Sequence, residues 1–162
     1  MIVIGIVGLK NSGKTYLAQK LIKYFSSKNL QVASIKHAHH NFEIDKPNTD
    51  SFLHRKAGAN QVLISSKKRY AKIYEINNEK EKTLNELLNE LESPDIVIVE
   101  GFKNEHHKKI EIIKEKNKEF LFKKLKNVIC LVTNVDINTK IQIFRNDDII
   151  KIANYILENA KN

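Results

Sequence analysis

Gly8-Leu9-Lys10-Asn11-Ser12-Gly13-Lys14-Thr15 follows the spacing G-x-x-x-x-G-K-[ST], the pattern of a loop that cradles phosphate with its backbone N–H groups. The flanks agree with it. Ile2-Val3-Ile4-Gly5-Ile6-Val7 is a short, β-branched apolar run that reads as a buried strand, and Leu17, Leu21 and Tyr24 or Phe25 recur at helical spacing behind the loop. A strand, a glycine turn and a helix N-terminus are what phosphate binding requires. The glycines turn the chain tightly, and the first-turn N–H groups leave positive potential facing the ligand. In this pattern Lys14 neutralises the β- and γ-phosphates and the Thr15 hydroxyl ligates Mg²⁺. The candidate phosphate contacts are therefore Gly8, Asn11, Ser12, Gly13, Lys14 and Thr15, with Tyr16 next in the helix.

Working outward, the chain alternates apolar strands with amphipathic helices. Strands are expected at 31–36, 61–65 (buried), 70–76 (half-exposed), 95–100 and 128–132, with a weaker alternating one around Ile110 and Ile112 and a short one around Ile141 and Ile143. Helices are expected from a cap at Asp50 or Ser51 through Lys56, over 83–92 with Leu84, Leu87, Leu88 and Leu91 on one face, and after a cap at Asp147. This order predicts an α/β fold of three layers, P-loop NTPase-like, with a mostly parallel sheet flanked by helices. The 162 residues, 41% hydrophobic, suit a single nucleotide-binding domain over 1–162. The run before the loop is too short for a signal peptide or a membrane span, so a cytoplasmic protein is expected. One cysteine, Cys130, inside an apolar run, reads as a small core residue. The net charge of +9 is almost all lysine, scattered among asparagine and isoleucine without an aromatic-plus-basic module, and reads as a solvated surface rather than a nucleic-acid face.

In parallel sheets ligands bind beyond the carboxyl ends of the strands. Glu100 ends the run Ile96-Val97-Ile98-Val99 and meets Gly101 there, as an acid near a nucleotide-bound metal should. Asp45 and Asp50 are further acids for magnesium or its waters, or else turn and cap residues. Residues 37–50, which carry His37, His39 and His40, lack a sustained period and read as a functional loop. The histidines could contact phosphate or a partner, hold a metal, or simply be solvated. Thr133-Asn134-Val135-Asp136 stands where guanine-specific loops carry [NT]-K-x-D. Asp136 would accept from guanine N1–H and the 2-amino group, although Asn134 replaces the lysine; the alternative is that Asp136 only begins a turn.

Gly8 to Thr15, Lys36-His37-Ala38-His39-His40-Asn41-Phe42 with Asp45, Asp50-Ser51, Ala57-Gly58-Ala59 and Val99-Glu100-Gly101-Phe102-Lys103 together resemble the molybdopterin-guanine dinucleotide biosynthesis protein B family, MobB. The resemblance spans residues 2–103; Asn48 departs from it, since the family usually has glycine after the proline. It implies a small P-loop GTP-binding protein, typically a homodimer and a weak GTPase, that assists a MobA-like molybdopterin guanylyltransferase. It also implies that Lys14 and Glu100 serve any hydrolysis, that Thr15, Glu100 and Asp45 serve Mg²⁺, and that His37, His39, His40 and Asp50 face the nucleotide, cofactor or partner. A small-molecule kinase and a non-catalytic nucleotide-dependent adaptor stay open as alternatives. Neither nucleic acid nor membrane is an expected partner.

Overall fold

The computed structural model describes residues 1–38, 42–77, 80–115 and 119–160. His39 and His40 therefore lie outside the described residues. By its contacts the chain divides into two compact units, one of Met1–His37 with Leu84–Asn162 and one of Ala38–Thr83. No described helix is long and apolar enough to cross a membrane.

The larger unit is built on strands β1 (Ile2–Val7), β2 (Val32–Lys36), β5 (Ile96–Glu100), β6 (Lys108–Ile113), β7 (Val128–Thr133) and β8 (Gln142–Phe144). They form one sheet in the order β2-β5-β1-β6-β7-β8, every adjacent pair parallel. Because residues alternate across a strand, Ile4 and Ile6 face one side. Helices α1 (Lys14–Ser27) and α4 (Ile149–Asn159) bury Leu17, Leu21, Phe25, Ile152 and Ile156 in that cluster. Each such side chain contributes about 1.5–3 kcal/mol by leaving water. On the other side Ile35, Val97 and Val99 pack with Leu84 of α3 (Leu84–Asn89) and with Leu87, Leu88 and Leu91. The three-layer architecture expected from the sequence is thus present.

The strand expected around Ile110 and Ile112 is present as β6, and because it lies between β1 and β7 the residues beside those isoleucines are buried as well. Lys109 is fully buried and Glu111 is 1% exposed. Both are satisfied. The Lys109 ammonium donates to the carbonyls of Glu105, His107 (2.6 Å) and Lys126 (3.5 Å). Glu111 accepts from Leu121 N–H at 2.8 Å and Phe122 N–H at 2.6 Å. These two N–H groups open a 3₁₀ turn, Leu121–Lys123, within a stretch whose sequence carries no helical period.

The smaller unit holds α2 (Asp50–Lys56) and an antiparallel hairpin of β3 (Gln61–Ser65) and β4 (Tyr70–Tyr74). The expected burial of β3 does not occur. Only Val62 is buried, while Leu63 and Ile64 are exposed, because within this unit the strand pairs with β4 alone. Two helix starts also shift by one residue: the N-cap position of α2 is Thr49 and that of α4 is Asp148, leaving Asp50 as the first helical residue and Asp147 outside.

Candidate functional site

The loop between β1 and α1 is shaped by close backbone approach. A Cβ on Gly8 would lie 2.6 Å from both the Ile112 carbonyl oxygen and Ser12 Oγ, so the neighbouring strand leaves no room for a side chain. Leu17 N–H is bound to Gly13 O at 3.0 Å, and the N–H groups of Lys14, Thr15 and Tyr16 before it have no intrahelical acceptor. Ser12 Oγ is buried with no hydrogen-bond partner among the described residues. Lys14 Nζ folds back onto the loop, donating to Gly8 O at 3.1 Å and Leu9 O at 2.8 Å. Burial lowers the Lys14 ammonium from its ordinary range; Glu100 opposes that shift and Lys36 adds to it. Orphaned donors and a partly desolvated ammonium at one helix end suit a polyphosphate.

Glu100 ends β5 beside this loop, paired in register with Ile6 of β1 and Lys36 of β2. Thr15 Oγ1 donates to it, 3.1 Å from Oε1 and 3.2 Å from Oε2, and Lys36 Nζ lies 3.8 Å from Oε1. Adjacent ligands of an octahedral Mg²⁺, each about 2.0–2.1 Å from the metal, are about 2.9 Å apart. The two oxygens are hard donors at nearly that separation, so the pair fits magnesium. Among the described residues no group of three or more His, Cys, Asp or Glu side chains could hold a metal by itself. A magnesium here would complete its shell with phosphate oxygens and water.

Behind Glu100 the chain turns sharply. Gly101 has φ +105°, and a Cβ there would lie 2.5 Å from His37 Cβ. The His37 ring stacks on Phe102 with centroids 4.6 Å apart, and His37 N–H donates to Glu100 O at 2.8 Å. His37 thus braces the turn that carries the acid. Further along the chain, His106 is exposed, and His107 is packed over Gly5 of β1 with both ring nitrogens lacking a hydrogen-bond partner among the described residues.

In the other unit Asp45 is bound through both oxygens to Arg55, at 3.0 and 2.7 Å, and Arg55 also reaches Glu75 at 2.5 Å. The Arg55 hydrogen bonds hold the Asp45 carboxyl below the usual carboxylate range. Asp50 sits in the first turn of α2. Asp136 follows β7 and is 92% exposed, 3.2 Å from the Arg145 guanidinium. Tyr16 is exposed, with Lys20 Nζ 5.2 Å from its ring centroid. Sequence reasoning missed Lys36 and Glu111. Lys36 could have been read from its position at the end of a strand, whereas nothing local marked Glu111.

The parallel sheet, the glycine loop at the head of α1 and the strand-end acid beside its threonine define a P-loop NTPase-like α/β protein. Comparison narrows the class. Residues 3–134 match the family described as "Molybdopterin guanine dinucleotide synthesis protein B". The chain belongs to that family. Among its relatives are the molybdopterin-guanine dinucleotide biosynthesis adapter proteins of Escherichia coli (strain K12) and Haemophilus influenzae. The first is 31% identical over 91% of this chain and 86% of its own length. The second is 32% identical over 94% and 86%. Bacillus subtilis MobB shares the fold, with a TM-score of 0.77 at 24% identity, over 100% of this chain and 99% of that one.

Proposed function

We propose that the protein binds Mg-GTP at residues 8–15 and acts as a nucleotide-dependent adapter in forming molybdopterin guanine dinucleotide, assisting the guanylyltransferase that joins GMP to molybdopterin. Family membership and the adapter names of the relatives support the pathway. The observation that carries nucleotide binding is the contact of Thr15 Oγ1 with the Glu100 carboxylate at 3.1 Å, on a loop whose N–H groups await an anion. On binding, Lys14 would leave the Gly8 and Leu9 carbonyls for the phosphates, and Mg²⁺ would sit against Thr15 and Glu100. Asp45 as a further magnesium ligand would first have to release Arg55, so this reading gives it the task of holding its loop instead. Guanine selection falls to Asp136.

Turnover should be slow. Fast phosphoryl transfer usually takes an arginine at the developing charge, a contribution of about 10³–10⁵ in rate. Arg55 is committed to Asp45 and Glu75, Arg145 to Asp136, and Arg69 adjoins the hairpin turn. A homodimer in the cytoplasm completes the proposal. The exposed Leu63, Ile64 and Tyr70 support it, since a lone two-stranded hairpin is marginal in water without cover. The test is the affinity of the guanylyltransferase for this protein loaded with a GTP analogue or with GDP, beside single-turnover hydrolysis by the protein alone. Unequal affinities and slow hydrolysis are expected. Equal affinities, or rapid hydrolysis in isolation, would refute the adapter mechanism.

A further inference from the structure

Lys36 is the last residue of β2 and lies in register with Glu100, the last residue of β5. Its ammonium is 3.8 Å from Glu100 Oε1, whereas a charge-assisted hydrogen bond spans about 2.7–2.9 Å. The side chain is 65% exposed. Charge alone keeps this cation near the acid, and it is able to swing to a better acceptor. Its backbone, by contrast, is fixed. His37 N–H donates to Glu100 O at 2.8 Å, and the His37 ring stacks on Phe102 with 20° between planes. Phe102 has φ +47°, a left-handed conformation rare for a bulky side chain, directly after Gly101 at φ +105°. The stack and the hydrogen bond thus hold a turn that costs conformational energy, as turns at functional sites do. Lys36 is set on a rigid strand end, while its flexible stem leaves the charge free to move.

The strand order says what that charge faces. Adjacent strands all run parallel in the order β2-β5-β1-β6-β7-β8, so their carboxyl ends share one edge of the sheet. The loop of residues 8–15 follows β1, and Asp136 follows β7, two strands to one side. Lys36 ends β2, two strands to the other side, about 10 Å from β1 at the usual spacing. A nucleotide with its base toward Asp136 and its β-phosphate in the loop therefore carries its terminal phosphate toward β5 and β2. The charge of Lys36 already reaches the loop: the Lys14 ammonium, lowered first by burial, is lowered further by Lys36.

We propose that Lys36 is the ligand of the nucleotide's terminal phosphate and makes the site prefer a nucleoside triphosphate to the diphosphate. The assignment rests on the Mg-nucleotide reading above. In the structure Lys36 pairs loosely with Glu100. Once that carboxylate binds Mg²⁺, Lys36 loses its partner and faces a like charge. The oxygens of a third phosphate accept from the ammonium and restore the balance, whereas a diphosphate leaves the two cations facing each other. Lys36 thus acts in opposite directions on the two ligands. A residue that only held the fold would act on both alike.

The test titrates Mg-GDP, and magnesium with the non-hydrolysable β,γ-imido analogue of GTP, into wild type, Lys36→Met, Lys36→Arg and Lys103→Met. Lys103, a second exposed lysine shortly after Glu100, is the control for surface charge in general. Lys36→Met keeps the bulk of the stem and loses a loose, exposed pair of the kind that contributes little to folding, which circular dichroism checks. It should weaken the triphosphate analogue about tenfold, the low end for a hydrogen bond to a charged group, while Mg-GDP affinity does not fall. Lys36→Arg should keep most of the triphosphate preference, and Lys103→Met should leave it unmoved. Lys36→Gln repeats the measurement with a polar side chain, should an exposed methionine impair folding. Wild type that binds neither ligand would overturn the nucleotide-site reading and this one with it. Wild type that binds both ligands equally, or a Lys36→Met variant that leaves their ratio unchanged, would overturn the role of Lys36 alone. So would a Lys103→Met variant that shifts the ratio as far as Lys36→Met does.

Discussion

Replacing Glu111 by Gln should cost more than its chemical conservatism suggests. The wild-type carboxylate uses two oxygens to accept from two backbone donors, Leu121 N–H at 2.8 Å and Phe122 N–H at 2.6 Å, while the residue is 1% exposed. Glutamine keeps one acceptor and turns its NH₂ against the other donor. One buried N–H is then unsatisfied, at about 1–3 kcal/mol, and the surviving bond loses its charge assistance, so a total of about 2–4 kcal/mol is expected. Urea denaturation at pH 7 measures it, and hydrogen exchange should show the Leu121 and Phe122 amides losing protection first. Acidity supplies a second readout. Burial raises the Glu111 carboxyl above its ordinary value of 4.5 against the pull of the two N–H groups. An acid raised in the fold binds its proton earlier there than in the unfolded chain, so wild type gains stability as pH falls through the raised value toward 4.5. The gap between wild type and Glu111→Gln should widen over that interval. A loss below about 0.5 kcal/mol, within the range of an ordinary surface substitution, with unchanged protection at 121 and 122, would refute the role given to this side chain.

Two further outcomes follow from the packing. Gly101→Ala forces a side chain into φ +105° and against His37 Cβ, which should destabilise by about 2–4 kcal/mol from backbone strain and overpacking together and weaken magnesium-dependent nucleotide binding, both measurable in one set of titrations. His107, held neutral by burial and by Lys109, has its value lowered from 6.5 to about 4; between these values the unfolded chain takes a proton the fold refuses, so stability falls as pH drops from 6.5 to about 4, and His107→Phe should show a shallower slope in denaturant titrations across that window.

The glycine turn at the head of α1, β1 and the strand ending in Glu100 were legible because their signals are local: a spacing motif, an apolar run, an acid followed by glycine. The contact of Thr15 with Glu100 follows from the pairing of β5 with β1, an adjacency that no local signal specifies. Strand β6 gave only a weak signal for a physical reason. Its Lys109 and Glu111 carry the letters of an exposed face, yet carbonyls from residues 105, 107 and 126 and amides from 121 and 122 neutralise the cost of burying them. Strand β3 errs the other way, its apolar residues being left exposed by a hairpin that pairs only with itself within its unit. Asp45 and Arg55, ten residues apart, gave no sign of their pairing, since charges at that spacing meet only when the intervening chain turns back.

The most direct measurement is calorimetric titration of Mg-GTP into wild type and Lys14→Ala, with circular dichroism of both. The hydrogen bonds of the Lys14 ammonium go to carbonyls of its own loop, so the variant should fold normally. Loss of a charge-assisted contact to phosphate should then weaken binding by about 10- to 100-fold. Unchanged affinity with an intact fold would contradict nucleotide binding at this loop.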